Sequence, residues 1–307
     1  MSLNLFSSNF LSDNQNVWLD DKKNIELSIK REDLIHPFVS GNKYRKLKYN
    51  VLQAREENKT TLLTFGGAFS NHIAAVASAG KAEDFNTIGI IRGEELKDKV
   101  DTNPTLSFAK SCGMTFIFIS RKDYRDKSNP KFIAKLKEQF GDFYLIPEGG
   151  TNNLAIKGCQ EILNEKDSKF DYLCCAVGTG GTVSGIINAS KSNQKVLGFS
   201  SLKGDFLNKD ISKFATSTNW KLITDYHFGG YGKINDSLIT FINKFKSENK
   251  IPLDPIYTGK MMFGIFDLIK KGYFKPNSKI LAIHTGGLQG IEGMNAKLKK
   301  QNKPLIL

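Results

Sequence analysis

The stretch from Tyr172 to Ala189 constrains this chain more than any other. Its first six residues, Tyr-Leu-Cys-Cys-Ala-Val, are a short apolar run of the kind that forms a buried parallel strand. Gly178-Thr179-Gly180-Gly181-Thr182-Val183-Ser184-Gly185 follows, and Gly185 to Ala189 reads as the start of a helix. Strand, glycine turn and helix in that order predict an anion site. Glycine reaches positive φ and lets backbone N–H groups approach a ligand, while the helix N-terminus adds unpaired donors and a positive dipole end. The spacing is not that of a dinucleotide loop, because Val183 stands where the third glycine belongs, and no Lys-Ser/Thr pair is present to grip a triphosphate. One isolated phosphate fits, with Thr179, Thr182 and Ser184 as hydroxyl donors. The same residues also suit a tight turn that binds nothing.

The rest of the chain repeats this alternation. Strands are predicted at 25–30, from Thr61 up to the Gly66-Gly67 turn, and at 87–91, 115–119, 144–146, 196–200 and 279–283. Helices are predicted from about Lys43, with Leu47 and Val51 on one face, and at 72–79, 102–111, 131–140, 155–163, 237–246 and 261–269. Alternation of this kind predicts an α/β protein with parallel sheets and a ligand at the carboxyl ends of the strands. A length of 307 residues allows two domains or lobes. The tail from Lys297 to Lys303 is read as a basic, solvated end.

Charge and cysteines narrow the function. The net charge of +13 invites a nucleic-acid role, but the lysines are spread along the chain among acidic residues and no nucleic-acid motif accompanies them. A basic surface that attracts small anionic substrates is the milder reading. Cys112, Cys159, Cys174 and Cys175 form no Cys-x-x-Cys pair, and the adjacent two sit in a predicted buried strand, so no metal site and no disulfide framework is expected. No apolar run approaches the roughly 20 residues of a membrane helix, and Met1 to Trp18 lacks a charged start followed by an apolar core. A reducing cytoplasm is the expected location.

Two further stretches carry candidate chemistry. Gly41-Asn42-Lys43 hinges into a helix, and a lysine at a helix start meets an unfavourable dipole end that lowers its pKa, as a Schiff-base lysine requires. Its plainer alternative is a solvated lysine among other cations. Gly66-Gly67-Ala68-Phe69-Ser70-Asn71-His72 takes a strand into an alanine-rich helix, with Ser70 and Asn71 as caps and the helix start as a carboxylate site.

Together these pieces resemble the pyridoxal-phosphate enzymes of the tryptophan synthase β fold (fold type II), in particular the D-cysteine desulfhydrase and 1-aminocyclopropane-1-carboxylate deaminase family. The resemblance rests on Lys-Arg-Glu-Asp at 30–33, Gly-Asn-Lys at 41–43, Gly-Gly-x-x-Ser-Asn-His at 66–72, the cup at 178–182, Asp-Pro-x-Tyr-Thr-Gly-Lys at 254–260 and His-Thr-Gly-Gly at 284–287. It implies a cofactor with a single phosphate, pyridoxal 5'-phosphate. By position, Lys43 would hold it as a Schiff base and move the substrate's α-proton. Asn71 would bond its 3-hydroxyl, Gly178, Thr179, Gly180, Gly181 and Thr182 its phosphate, and Thr285 its pyridine nitrogen. Ser70 would take the substrate carboxylate, with Tyr231 and Tyr257 facing the substrate. The resemblance also implies two lobes, residues 46–159 the smaller and 1–45 with 160–307 the larger, and a homodimer.

The implied activity is α,β-elimination on a small amino acid, as in D-cysteine to pyruvate, ammonia and sulfide. A ring-opening deaminase is the alternative enzyme, and a non-catalytic phosphate- or nucleotide-binding protein the alternative of another class. Ring-opening deaminases typically carry a glutamate after the tyrosine equivalent to Tyr257, where this chain has Thr258, which favours elimination. Two departures from the family pattern, Ile73-Ala74-Ala75 where Arg-Gln is usual and Leu288-Gln289-Gly290 where proline is usual, predict an altered pocket.

Overall fold

The computed structural model describes residues 5–6, 10–19 and 24–307. The expectation drawn from Met1 to Trp18 therefore falls partly outside the described residues. Among the described residues ten strands form two sheets. The six strands of the larger sheet are β1 (Asn14–Val17), β2 (Glu26–Lys30), β7 (Tyr172–Val177), β8 (Lys195–Ser200), β9 (Trp220–Ile223) and β10 (Lys279–Ile283), in the order β1-β2-β10-β7-β8-β9. All are parallel except β1, which runs antiparallel to β2 at the edge. The smaller sheet is wholly parallel, with β3 (Thr61–Gly66), β4 (Asn86–Arg92), β5 (Thr115–Ile119) and β6 (Tyr144–Ile146) in the order β5-β4-β3-β6.

Helices cover the sheets, which is why the central strands read as unbroken apolar runs rather than alternating ones. They are α1 (Asn42–Glu56), α2 (Asn71–Ala82), α3 (Pro104–Ser111), α4 (Pro130–Phe140), α5 (Asn153–Gln160), α6 (Gly181–Ala189), α7 (Leu207–Ser212), α8 (Asp236–Asn249), α9 (Thr258–Lys270) and α10 (Gly290–Lys300). Strand alternation sends Cys174 and Cys175 to opposite faces of the larger sheet. Cys174 packs with Ile242 and Ile265 of α8 and α9, and Cys175 with Val183 and Ile186 of α6. Among the described residues no helix is long and apolar enough to cross a membrane.

The basic tail differs from expectation. Residues 297–300 close α10, in which Met294 and Leu298 are buried, and Ile306 beyond it is buried as well. The lysines are exposed because they occupy the other helix face.

The Lys-Arg-Glu-Asp stretch at 30–33 works as a clasp. Lys30 Nζ donates to Asp167 Oδ2 at 2.8 Å, with both groups buried. Glu32 takes a two-pronged bond from Arg45, Nε to Oε2 and Nη2 to Oε1, each 2.9 Å, and neither residue is more than 2% exposed. A fork-to-carboxylate pair of this geometry is strong and directional. It fixes the first turn of α1, two residues beyond Lys43.

Candidate active site

The glycine cup is built as the turn requires. β7 ends at Val177, Gly180 caps α6 at φ 83°, and the helix starts at Gly181, four residues earlier than the sequence suggests. Left-handed backbone at this point favours glycine. Helix geometry leaves the N–H groups of Gly181, Thr182 and Val183 without intrahelical partners. Thr182 Oγ1 accepts from Asn42 Nδ2 at 2.8 Å, and Thr179 Oγ1 lies 2.7 Å from Thr151 Oγ1. Lys46 Nζ donates to the Gly149 carbonyl at 2.9 Å and to Thr151 Oγ1 at 3.1 Å, so an ammonium borders the cup. A Cβ on Gly181 would stand 2.8 Å from Thr151 Oγ1 and 3.3 Å from Lys46 Nζ. Gly181 makes room for those groups and does not itself line the cavity. Ser184 is not a cup donor, because its hydroxyl donates to the Gly180 carbonyl at 3.0 Å within its own helix. A serine inside a helix commonly turns back this way.

Lys43 occupies the first turn of α1, and its Nζ donates to Asn42 Oδ1 at 3.0 Å. Asn42 thus links the amine to Thr182 of the cup. The pKa of Lys43 falls from 10.5 to about 7, through burial first and the like charge of Lys46 second, with Asp254 pulling the other way. The direction agrees with the expectation from its position, but the cause is burial and Lys46. Gly41, at φ 60°, brings this helix start against the end of β10. Asn42 N donates to the Thr285 carbonyl at 3.3 Å, and a Cβ on Gly41 would stand 2.1 Å from that oxygen.

The loop after β3 supplies the second helix start. Ser70 is the N-cap of α2, its Oγ accepting from His72 N at 3.2 Å and Ile73 N at 3.4 Å, and Asn71 is the first helical residue rather than a second cap. The Ser70 amide is bonded to the Gly67 carbonyl. Among the described residues the Asn71 N–H has no protein acceptor, and the Ser70 hydroxyl hydrogen is free to donate. The Asn71 side chain faces Gly287, where a Cβ would come within 2.8 Å of Nδ2. His72 is buried against Thr64, with Nε2 2.8 Å from Thr64 Oγ1, and its pKa is pushed well down by burial and by Lys43 and Lys46.

Tyr257 precedes α9, and its ring lies 6.2 Å from that of Tyr231, centroid to centroid. Burial raises the pKa of both phenols. Asp254 holds this corner. Its Oδ1 accepts from the amides of Ile256 at 2.9 Å and Tyr257 at 2.8 Å, and its Oδ2 from the Thr258 amide at 2.8 Å and hydroxyl at 2.6 Å. Thr258 is fully buried in that contact and does not line the cavity, whereas Thr285 does.

One cavity of about 480 Å³ joins these parts. Lys43, Ser70, Asn71, Gly178, Thr179, Gly180, Thr182, Tyr231, Tyr257 and Thr285 all line it. Lys46, Asn42, His72, Arg92 and Glu148 also line it and were not singled out from the sequence. Asn42 and His72 stand inside the motifs at 41–43 and 66–72, and Lys46 lies one turn after Lys43 on the same helix face. The predicted alteration of the pocket is half corrected. Ala74 and Ala75 are buried away from the cavity, while Gln289 is at its wall.

A donor-lined cup for one phosphate, a depressed lysine beside it and a hydroxyl at the end of the last strand match what pyridoxal 5'-phosphate needs. The chain belongs to the pyridoxal-phosphate-dependent enzyme family, which it matches over residues 17–286. It is 32% identical over 297 residues to the Arabidopsis thaliana bifunctional D-cysteine desulfhydrase/1-aminocyclopropane-1-carboxylate deaminase, mitochondrial, covering 87% of this chain and 73% of that protein. It is 31% identical to a putative 1-aminocyclopropane-1-carboxylate deaminase of Pyrococcus horikoshii, covering 86% of this chain and 85% of that one. The crystal structure of an ACC deaminase homologue superposes with a TM-score of 0.82 at 28% identity, covering 95% and 94% of the two chains. A hydrogen sulfide-producing enzyme of Fusobacterium nucleatum, at 15% identity and a TM-score of 0.68 over 94% and 99%, shares the fold. The chain is a pyridoxal-phosphate-dependent enzyme of the expected α/β fold class, its two sheets parallel except for the edge strand β1.

Proposed function

We propose that this enzyme is a lyase that removes a β-substituent and the amino group from a small amino acid, as in D-cysteine plus water to pyruvate, ammonia and hydrogen sulfide. The observation that carries this reading is the position of Thr258. Where a ring-opening deaminase would present a carboxylate to the cofactor, this chain has a hydroxyl sunk into Asp254, and the group left at the cavity wall is the Thr285 hydroxyl. A hydroxyl donates to an unprotonated pyridine and supports a weaker electron sink, which suffices when a good leaving group departs as the α-proton is lost.

The residues divide the work as follows. Gly178, Thr179, Gly180 and Thr182 would bind the phosphate, with Gly181 giving the clearance and Lys46 the countercharge. Asn71 would bond the cofactor's 3-hydroxyl and Thr285 its pyridine nitrogen, and Lys43 would hold the cofactor through Nζ. When bound, the cofactor supplies the sink for the electrons of the Cα–H bond. Ser70 and the Asn71 N–H would orient the substrate carboxylate. Lys43, neutral in part near pH 7, would take the α-proton. Tyr257 and Tyr231 would border the β-substituent and shield it from water. The lobes are proposed as 46–159 and 1–45 with 160–307, in a cytoplasmic homodimer.

The test compares pyruvate release from D-cysteine or β-chloroalanine with 2-oxobutyrate release from 1-aminocyclopropane-1-carboxylate. Efficient turnover of the cyclopropane substrate alone would overturn the proposal in favour of the deaminase after which several relatives are named.

A further inference from the structure

The cavity wall holds more positive charge than the proposed chemistry uses. We propose that Arg92 binds a second negative charge on the substrate, so that the preferred substrates are amino acids whose side chain or β-leaving group is itself anionic. This builds on the elimination reading for the reaction, though the binding claim is testable without it.

Arg92 ends β4, beside the strand that runs into Gly66 and Gly67, and so stands at the carboxyl edge of the smaller sheet. Its Nη2 is 3.7 Å from the position a Cβ on Gly67 would take. The guanidinium therefore lies against the loop that leads to Ser70. It is also held from below, with its carbon 5.6 Å from the centroid of the Tyr124 ring. Tyr124 is only 3% exposed, and its hydroxyl donates to Glu148 Oε1 at 2.8 Å, so the platform is fixed.

Glu148 lines the cavity but is already committed. Tyr124 takes one oxygen and Lys127 Nζ lies 3.1 Å from the other. Among the described residues Arg92 has no carboxylate within ion-pair distance. The other positive groups of the wall have their own partners, since Lys46 borders the phosphate cup, Lys43 would be joined to the cofactor, and the α-carboxylate would meet Ser70 and the Asn71 N–H. Arg92 is left over. Its planar fork matches a carboxylate, sulfate or phosphate in two-pronged fashion, which an uncharged side chain cannot use.

Two measurements on the holoenzyme test this. Calorimetric titration compares propionate with malonate, succinate and glutarate, none of which can react. The best dicarboxylate should bind at least about tenfold more tightly than propionate, Arg92→Gln should abolish the difference and Arg92→Lys should retain part of it. Retained visible absorbance of the cofactor certifies that each variant is folded. Turnover compares serine O-sulfate with β-chloroalanine. With the former, the Cα–H proton passes to Lys43, the Cβ–O bond breaks, sulfate leaves with the bonding pair, and water releases pyruvate and ammonium. The ratio of kcat/KM between the two substrates should fall at least about tenfold in Arg92→Gln. No dicarboxylate preference in the wild type, or a preference that survives Arg92→Gln, would overturn the proposal. So would an equal loss on both substrates and both ligand classes, which would assign Arg92 to the α-carboxylate. A wild type that prefers dicarboxylates yet eliminates from neither substrate would overturn the lyase reading and leave Arg92 its role.

Discussion

Lys43 in the cofactor-free enzyme should titrate near neutrality. An ordinary lysine at pH 7 has about one neutral amine in three thousand, whereas a pKa lowered from 10.5 to about 7 leaves about half of the Lys43 amines neutral. Reductive methylation consumes only the neutral form, so peptide mapping between pH 6 and 10 should find Lys43 modified at pH 7 while surface lysines are untouched. Lys46→Met removes the second cause and should move the midpoint upward. It should stop short of 10.5, because burial, the larger cause, remains. The same shift has a stability signature. Between about pH 7 and 10.5 the unfolded chain binds a proton at Lys43 that the folded chain does not, so folded stability rises with pH across that window. Below it both states are protonated and the cost of the buried charge is constant. The thermal midpoint of the cofactor-free wild type should therefore climb from pH 7 to 10 relative to that of Lys43→Met. A methylation midpoint for Lys43 shared with the surface lysines would refute the reasoning.

Other consequences can be tested on the same footing. Gly181→Val drives a side chain into Thr151 and Lys46, so cofactor affinity should fall by about tenfold or more with the far-UV spectrum unchanged; unaltered binding would put the phosphate elsewhere. Glu32→Gln replaces the two-pronged carboxylate of the buried Arg45 guanidinium with a neutral amide, leaving Glu161 at 3.7 Å as its charged partner, and should cost about 3 kcal/mol in denaturant unfolding, much of it restored by Glu32→Leu with Arg45→Met. A cost below about 1 kcal/mol would show that the pair behaves as a solvated one.

The legible parts of this molecule are those in which one segment carries its own signal. β7 and β10 are legible to the residue because strands covered on both faces are continuous apolar runs, and the edge strand β5 because Phe-Ile-Phe-Ile is continuous as well. β1 was missed, since Asn-Gln-Asn-Val is polar and becomes a strand only by pairing with β2. β9, a four-residue edge strand interrupted by Lys221, and α7, a six-residue helix in a loop-rich region, go unread because neither carries a continuous apolar run or a full amphipathic period. The site divides in the same way. Lys43, Ser70, Asn71 and the cup each sit at a glycine turn entering a helix, which sequence displays. Arg92 and Glu148 come from the ends of different strands and converge only when the smaller sheet assembles. Ser184 shows the reverse error, because a hydroxyl near a loop cannot be told from one that bonds its own helix until the φ angles are known.

The abutment of Gly41 on the Thr285 carbonyl also has a bearing on how the enzyme is made. Lys43 leaves the ribosome 242 positions ahead of Thr285. Until β10 inserts between β2 and β7, the floor that buries the lysine does not exist and its amine is an ordinary, charged one. The depressed pKa of Lys43 therefore depends on β10 being in place. A chain ending before residue 279 would carry Lys43 with the reactivity of any surface lysine.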